Sequence, residues 1–138
     1  MVVLTDTSAI VAMLDPADLN HTRAAEAWRG LAGGAATLLA TSYTVLETHA
    51  VLQRRFGMAG VRRFEADVVP RLEVLWIDQD IHGEGVARLL AADTRALSLV
   101  DCVSFATMWR LGGRWAFTFD PHFAEQGFEV IPEALPSA

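Results

Sequence analysis

Two kinds of segment alternate along the chain. Short, mainly apolar runs at residues 2–5, 37–41, 72–77, 115–119 and 128–131 are too short for helices and suit strands buried between layers. Longer stretches between them carry apolar residues at helical spacing. Residues 9–14 predict a short helix ended by Asp15-Pro16. Residues 17–31 predict a second, with Ala24, Ala27, Trp28 and Leu31 in phase and Gly33-Gly34 closing it. Residues 43–56 predict a third, stopped by Gly57, with Val45, Leu46, Ala50 and Leu52 on or near one face. Residues 59–69 make another that ends at Pro70, so these two join as a hairpin. Helices over 79–97 and 101–111 follow, the latter closed by Gly112-Gly113. Strands alternating with helices throughout predict a three-layer α/β/α fold with a mainly parallel central sheet. With no repeat, linker or low-complexity stretch, the 138 residues fit one domain, 1–138.

Composition narrows this picture. The chain is 52% hydrophobic, yet no run approaches the roughly 18 uninterrupted apolar residues of a membrane span. Asp6 interrupts the N-terminus before any secretory pattern can form. The expectation is a cytoplasmic protein that does not enter membranes. A lone Cys102 excludes an internal disulfide and fits a reducing compartment. The net charge of −6 argues against nucleic acid, because phosphate binding is driven by basic side chains releasing counterions. Two features weaken that objection. All 11 basic residues are arginines, the better fork for phosphate oxygens, and Arg54-Arg55 and Arg62-Arg63 concentrate them, although such pairs also suit solvated helix faces. Carboxylates that bind divalent cations would also account for part of the negative charge.

Four carboxylates stand out for that role. Asp6 directly follows Val2-Val3-Leu4-Thr5, and Asp120 directly follows Trp115-Ala116-Phe117-Thr118-Phe119. Glu47 ends Thr44-Val45-Leu46-Glu47, and Asp101 ends Leu97-Ser98-Leu99-Val100-Asp101. Each also has a purely structural explanation. Asp6 and Asp120 are natural N-caps, the latter followed by Pro121 at the favoured first helical position. Glu47 and Asp101 stand at capping-box spacing from Thr44 and Ser98. The two roles are compatible, because a helix N-terminus helps keep a carboxylate ionised. In a parallel sheet the carboxyl ends of the strands share one edge, where ligands bind. Acids gathered there would be unstable without cations, and hard oxygen donors suit Mg²⁺ or Mn²⁺.

The segments Leu4-Thr5-Asp6-Thr7-Ser8-Ala9, Thr44-Val45-Leu46-Glu47, Leu97-Ser98-Leu99-Val100-Asp101-Cys102-Val103-Ser104-Phe105 and Ala116-Phe117-Thr118-Phe119-Asp120-Pro121-His122-Phe123 resemble the motifs of PIN-domain proteins, in that family's order and over almost the whole chain. The small size most resembles the VapC-type ribonuclease toxins of bacterial toxin–antitoxin pairs. The resemblance implies a metal-dependent endoribonuclease that leaves a 5′-phosphate and a 3′-hydroxyl. It implies that Asp6, Glu47, Asp101 and Asp120 hold Mg²⁺ or Mn²⁺, with Asp6 and Asp101 as primary ligands, Asp120 completing the site and Glu47 binding or positioning the attacking water. Ser8 and Thr118 would orient ligands or waters, and Ser98 would cap the helix that shapes the pocket. An RNA substrate, a cognate antitoxin and a homodimer follow from the same resemblance, the apolar helix pair at 43–69 offering a surface to cover.

Arg54, Arg55 and His122 are further candidates for substrate contact. The sequence departs from the family at Val100, where a small polar residue is more usual, and at Asp93-Thr94, where an acidic-basic pair is more usual. Asp93 reads as a solvated helix end, with an outer-shell acid as the alternative. His49 points away from Glu47 on a helix, while His21 and His82 lack partners in sequence. Cys102 reads as a small core residue, and the four tryptophans as core or interface. A non-catalytic nucleic-acid-binding or scaffold module and a solitary nuclease remain alternatives. A phosphatase using Asp6 as nucleophile is discounted, since Ser8 stands where a second Asp is needed and the chain has no lysine.

Overall fold

The computed structural model describes residues 1–133. Five strands, β1 (Val2–Thr5), β2 (Thr37–Thr41), β3 (Glu73–Leu75), β4 (Trp115–Phe117) and β5 (Glu129–Ile131), form one sheet in the order β3-β2-β1-β4-β5. Every neighbouring pair is parallel. The apolar runs are explained by this placement. On β1, Val3 and Leu4 point to opposite faces and both are completely buried. Val3 joins Ile10, Leu14, Leu52, Phe64 and Phe117 in one core layer. Leu4 joins Phe105, Met108, Ala116 and Phe123 in the other.

Helices cover both faces: α1 (Thr7–Leu14), α2 (His21–Ala32), α3 (Ser42–Arg63), α4 (Gln79–Ala92), α5 (Leu99–Leu111) and the single turn α6 (His122–Glu125). Several boundaries differ from the periodicity. Helix α1 starts two residues early because the Asp6 side chain caps it by accepting the Ser8 N–H. Helix α2 starts four residues late. Asp15 and Asp18 accept the N–H groups of Ala17 and Asn20 at 2.9 and 2.8 Å, and these local turns compete with helix. Helix α4 stops at Ala92, short of the predicted 97, where Asp93 turns left-handed at φ 49°. Asp93 is thus an exposed helix end.

Gly57 breaks α3 with φ 66° and ψ −155°, a conformation that suits glycine. Beyond it the chain folds back, so that His49 meets Glu65 and packs edge-on against Phe64. A continuous helix would hold residues 49 and 65 about 24 Å apart. The hairpin read from the sequence is therefore present. Its second arm ends in a wider turn at Phe64–Val68 and a 3-10 turn at Val69–Arg71. On the opposite face α4 and α5 pack closely at Gly85, where a Cβ would lie 2.5 Å from Val103 Cγ2. Among the described residues no helix is long and apolar enough to cross a membrane.

The strand order fixes where a ligand can sit. From β1 the chain steps outward to β2 and β3, then returns to add β4 and β5 on the other side. The connections leaving β1 and β4 diverge and open a crevice over the carboxyl ends of those strands. Asp6 and the 118–120 segment lie immediately past those ends.

Candidate active site

Four elements bring carboxylates to this crevice. Asp6 arrives as the cap joining β1 to α1, Glu47 on the second turn of α3, Asp101 on the first turn of α5, and Asp120 just after β4. All four line one cleft of about 360 Å³, together with Thr7, Ser8, Asp18, Asn20, Arg55 and Phe119.

Helix α3 reaches the cleft with one of three stripes. Thr44, Thr48 and Leu52 are buried, with Thr48 Oγ1 3.0 Å from Thr7 Oγ1 of α1. Glu47, Val51 and Arg55, four residues apart, form the stripe that lines the cleft. The capping box expected between Thr44 and Glu47 is not formed. Thr41 caps α3 instead, accepting the Thr44 N–H at 3.1 Å, because the strand runs directly into the helix. Glu47 makes no hydrogen bond among the described residues and stands half-buried with a free carboxylate.

The other three acids are held by one oxygen each. Asp6 Oδ2 accepts from the Ser8 hydroxyl at 2.6 Å, the Thr118 hydroxyl at 3.0 Å and the Ser8 N–H at 3.3 Å. Each hydroxyl has a single proton, so both spend it on Asp6 and serve the backbone as acceptors. Ser8 Oγ takes the Phe119 N–H at 3.0 Å and Thr118 Oγ1 takes the Asp120 N–H at 2.9 Å. Two hydroxyls thereby lock the end of β4 to the start of α1 around one carboxylate oxygen. Asp6 Oδ1 has no protein donor among the described residues and is not sealed from solvent. Asp101 Oδ2 accepts the Ser98 N–H at 3.1 Å while Ser98 Oγ accepts the Asp101 N–H at 3.1 Å, completing the expected capping box. Asp120 Oδ1 accepts the His122 N–H at 2.9 Å.

Burial in a site with little positive charge raises the carboxyls of Asp6 and Asp101. Asp6 is only 5% exposed. Burial pushes its carboxyl up to about 6 from an ordinary 3.8; the Ser8 and Thr118 hydroxyls oppose the rise and the charge of Asp101 adds to it. Asp101 is also raised, first by burial and then by Asp120, against the hydrogen bonds from Ser98. No arginine among the described residues lies within ion-pair distance of Asp6, Glu47 or Asp101. Arg55 lines the cleft, but its guanidinium pairs with Asp15 at 3.3 Å. Asp120 has only His122, whose Nε2 is 4.0 Å away. The His122 imidazole is raised by its hydrogen bond to Glu125, with smaller contributions from Asp120 and Asp101.

This donor set fits a hard divalent cation. It offers carboxylate oxygens, each of three acids keeping one oxygen uncommitted, and little competing positive charge. Among the described residues no three His, Cys, Asp or Glu side chains converge tightly enough to make a ready metal cage.

The remaining sequence candidates fall at different distances from the cleft. Ser98 acts on it through Asp101. Thr118 is buried behind Asp6. Arg55 reaches the cleft, whereas exposed Arg54 is not part of its lining. His122 touches it only through Asp120. Cys102 is buried, as read from the sequence. Trp76 is 79% exposed and lies outside the core. Asp18 and Asn20 carried no sequence signal beyond their turn-forming character, because their place beside the acids arises only when α1 and α2 fold over the sheet edge.

A parallel three-layer α/β protein with carboxylates gathered over the switch between β1 and β4 is the class that fold and site define. The PIN-domain family pattern matches residues 3–129, and the chain belongs to the PIN-domain family. It is 30% identical over 133 residues to the 23S rRNA-specific endonuclease VapC20 of Mycobacterium tuberculosis, in strains CDC 1551 / Oshkosh and H37Rv alike, covering 95% of this chain and 99% of the relative. The crystal structure of M. tuberculosis VapC20, described as a Sarcin-Ricin loop cleaving toxin, superposes with a TM-score of 0.81 at 28% identity, over 94% of this chain and 97% of that one. FitAcB from Neisseria gonorrhoeae shares the fold with a TM-score of 0.69 at 18% identity, covering 94% and 96% of the two chains.

Proposed function

We propose that this protein is an endoribonuclease that hydrolyses RNA phosphodiester bonds with Mg²⁺ or Mn²⁺, acting in the cytoplasm as the toxin of a toxin–antitoxin pair. The observation that carries the reading is the set of four carboxylates lining one cleft with, among the described residues, no arginine paired to them. Likeness to an rRNA endonuclease over nearly the full length of both chains supports RNA as the substrate.

In this reading Asp6 and Asp101 are the principal holders of the cation, Asp120 completes the site, and Glu47 contributes a carboxylate free to bind or position the attacking water. A bound divalent ion supplies an acidified water and charge stabilisation on the phosphate. Ser8 and Thr118 keep Asp6 Oδ2 fixed so that Oδ1 faces the cleft. Ser98 fixes Asp101 in the same way. Asp6 and Asp101, the two carboxyls that burial raises, would be held ionised by a cation bound between them. Arg55, released from Asp15, is placed to meet a backbone phosphate, and His122 stands beside Asp120 as a second, weaker candidate.

The toxin role adds two partners. A homodimer and an antitoxin would both use the apolar groove of about 750 Å³ along α3, where Leu46 and Trp76 are 71% and 79% exposed. A basic antitoxin side chain entering the cleft would satisfy the carboxylates in place of metal. Purified protein is expected to cleave RNA in Mg²⁺ or Mn²⁺ and to stop in EDTA, and its expression alone is expected to arrest bacterial growth. Cleavage that persists under full chelation in a nuclease-free preparation rejects the metal-dependent mechanism. Normal growth despite soluble, RNA-cleaving protein leaves a solitary nuclease.

A further inference from the structure

A second cavity, of about 350 Å³, adjoins the acid cleft and shares Asn20, Phe119 and Asp120 with it. Its character is different. Where the cleft is walled by carboxylates and hydroxyls, this cavity is walled by Phe119, Pro121, Ala124 and Val130, with Arg23 at one side. The Arg23 guanidinium lies 5.6 Å from the centre of the Phe119 ring and donates through Nη2 to the Glu133 carbonyl. Its Nε and Nη1 have no partner among the described residues. Asn20, on the boundary between the two cavities, is the N-cap residue of α2, yet its side chain makes no capping hydrogen bond. Asparagine at this position normally spends its carboxamide on the helix end. Here one donor group and one acceptor group remain available where the two cavities meet.

We propose that this cavity is a nucleobase subsite for the nucleotide next to the scissile phosphate, a proposal that rests on the ribonuclease reading of the adjoining acids. Single-stranded RNA is read by splaying a base out, stacking it on an aromatic or guanidinium plane and hydrogen-bonding its edge. Phe119 and Arg23 supply the planes. Asn20 supplies the edge contact, since a carboxamide can pair with a donor and an acceptor of a base at once. The free nitrogens of Arg23 are suited to the adjacent phosphate. Asp120 belongs to both cavities, so a base seated in one places its backbone over the acids of the other. Cleavage preference at that nucleotide is then set by Asn20 rather than by the acids.

The test uses the full chain and a short single-stranded RNA carrying 2-aminopurine at successive positions, with Ca²⁺ present. Wild-type protein is expected to quench the fluorescence at one position. Asn20→Ala, which removes no capping bond, and Ala124→Leu, which narrows the cavity from an exposed site, should each weaken binding of that RNA roughly tenfold, the scale of one carboxamide edge contact for the first and of one stacked base for the second. Both variants should bind wild-type-like when that position is abasic. Quenching at no position, or equal quenching and affinity in both variants, overturns the subsite. Wild-type protein that cleaves RNA in Mn²⁺ without position-specific quenching loses the subsite and keeps the nuclease reading. Position-specific quenching that Asn20→Ala weakens, in protein that cleaves no RNA, overturns the nuclease reading and with it the placement beside a scissile phosphate, leaving a cavity that binds a base.

Discussion

Helix α3 presents two working faces that differ in almost every physical respect. The stripe of Glu47, Val51 and Arg55 looks into the acid cleft, whereas Tyr43, Leu46, Ala50 and Gln53 line an apolar groove about twice as large. The cleft is tightly specified. Asp6 is held by two hydroxyls and a backbone N–H, and those hydroxyls are held in turn by the chain after β4. The groove has few polar constraints, Tyr43 meeting His82 and His49 meeting Glu65 at its margins. A charged site needs fixed geometry, because misplaced carboxylates lose their shared cation, while an apolar surface needs only area and shape. The same helix can therefore serve chemistry on one side and association on the other.

Four experiments separate the two faces, in descending order of effect. Asp101→Asn should lower RNA cleavage at least about a hundredfold, more than the typical loss from an outer-shell partner. The Ser98 capping bonds can persist, since Asn retains an acceptor, and burial has raised this carboxyl too, so the melting temperature of the metal-free protein at neutral pH should hold or rise while cleavage is lost. Wild-type cleavage rates in this variant would remove Asp101 from the site.

Asp6→Asn tests the electrostatic cost of the cleft. The folded-state carboxyl, at about 6, lies above its ordinary 3.8, so folding favours the protonated form. The stability this gives is complete below pH about 4 and is lost as pH rises through about 6. Asn should therefore stabilise the metal-free protein at pH 8, by up to about 3 kcal/mol, and confer little at pH 4. Mn²⁺ should raise the melting temperature of wild type more than that of the variant. Equal stabilisation at both pH values would mean that packing rather than charge distinguishes the two side chains.

On the other face, the pair Leu46→Glu and Trp76→Glu should weaken self-association roughly tenfold or more while leaving the melting temperature nearly unchanged, because both side chains are largely exposed. Sedimentation identical to wild type would exclude this groove as a self-association surface. The smallest effect lies beneath both faces. Thr5 is fully buried and its hydroxyl has no hydrogen-bond partner among the described residues. Thr5→Val should therefore stabilise by about 1 kcal/mol, read as a rise in melting temperature. A drop would reveal a buried water serving that hydroxyl.

Much of this architecture is written in local sequence. β1, apolar except for Thr5 and too short for a helix, reads as a strand between two layers, and Gly57 interrupts α3 with a φ of 66° that is open to glycine and costly to most other residues. The Ser98–Asp101 box needs only a three-residue spacing and formed as read. Errors arose where two local signals competed. Thr44-Glu47 has the capping spacing, but Thr41 sits one turn earlier, at the end of β2, and takes the cap. At residues 15–20 the helical phase of the apolar positions yielded to aspartates that bind their own backbone.

What the sequence determined by itself was the set of elements and the four acids, because strand, helix and cap signals act over a few residues and need no distant partner. Only the tertiary structure decided which oxygens of those acids are free, which arginine reaches them and which is left outside. The Ser8, Thr118 and Asp6 cluster joins residues 110 and 112 positions apart. Arg55 finds Asp15 across 40 residues. Contacts of that span depend on the strand order and on the crevice it opens between β1 and β4, which no local pattern encodes.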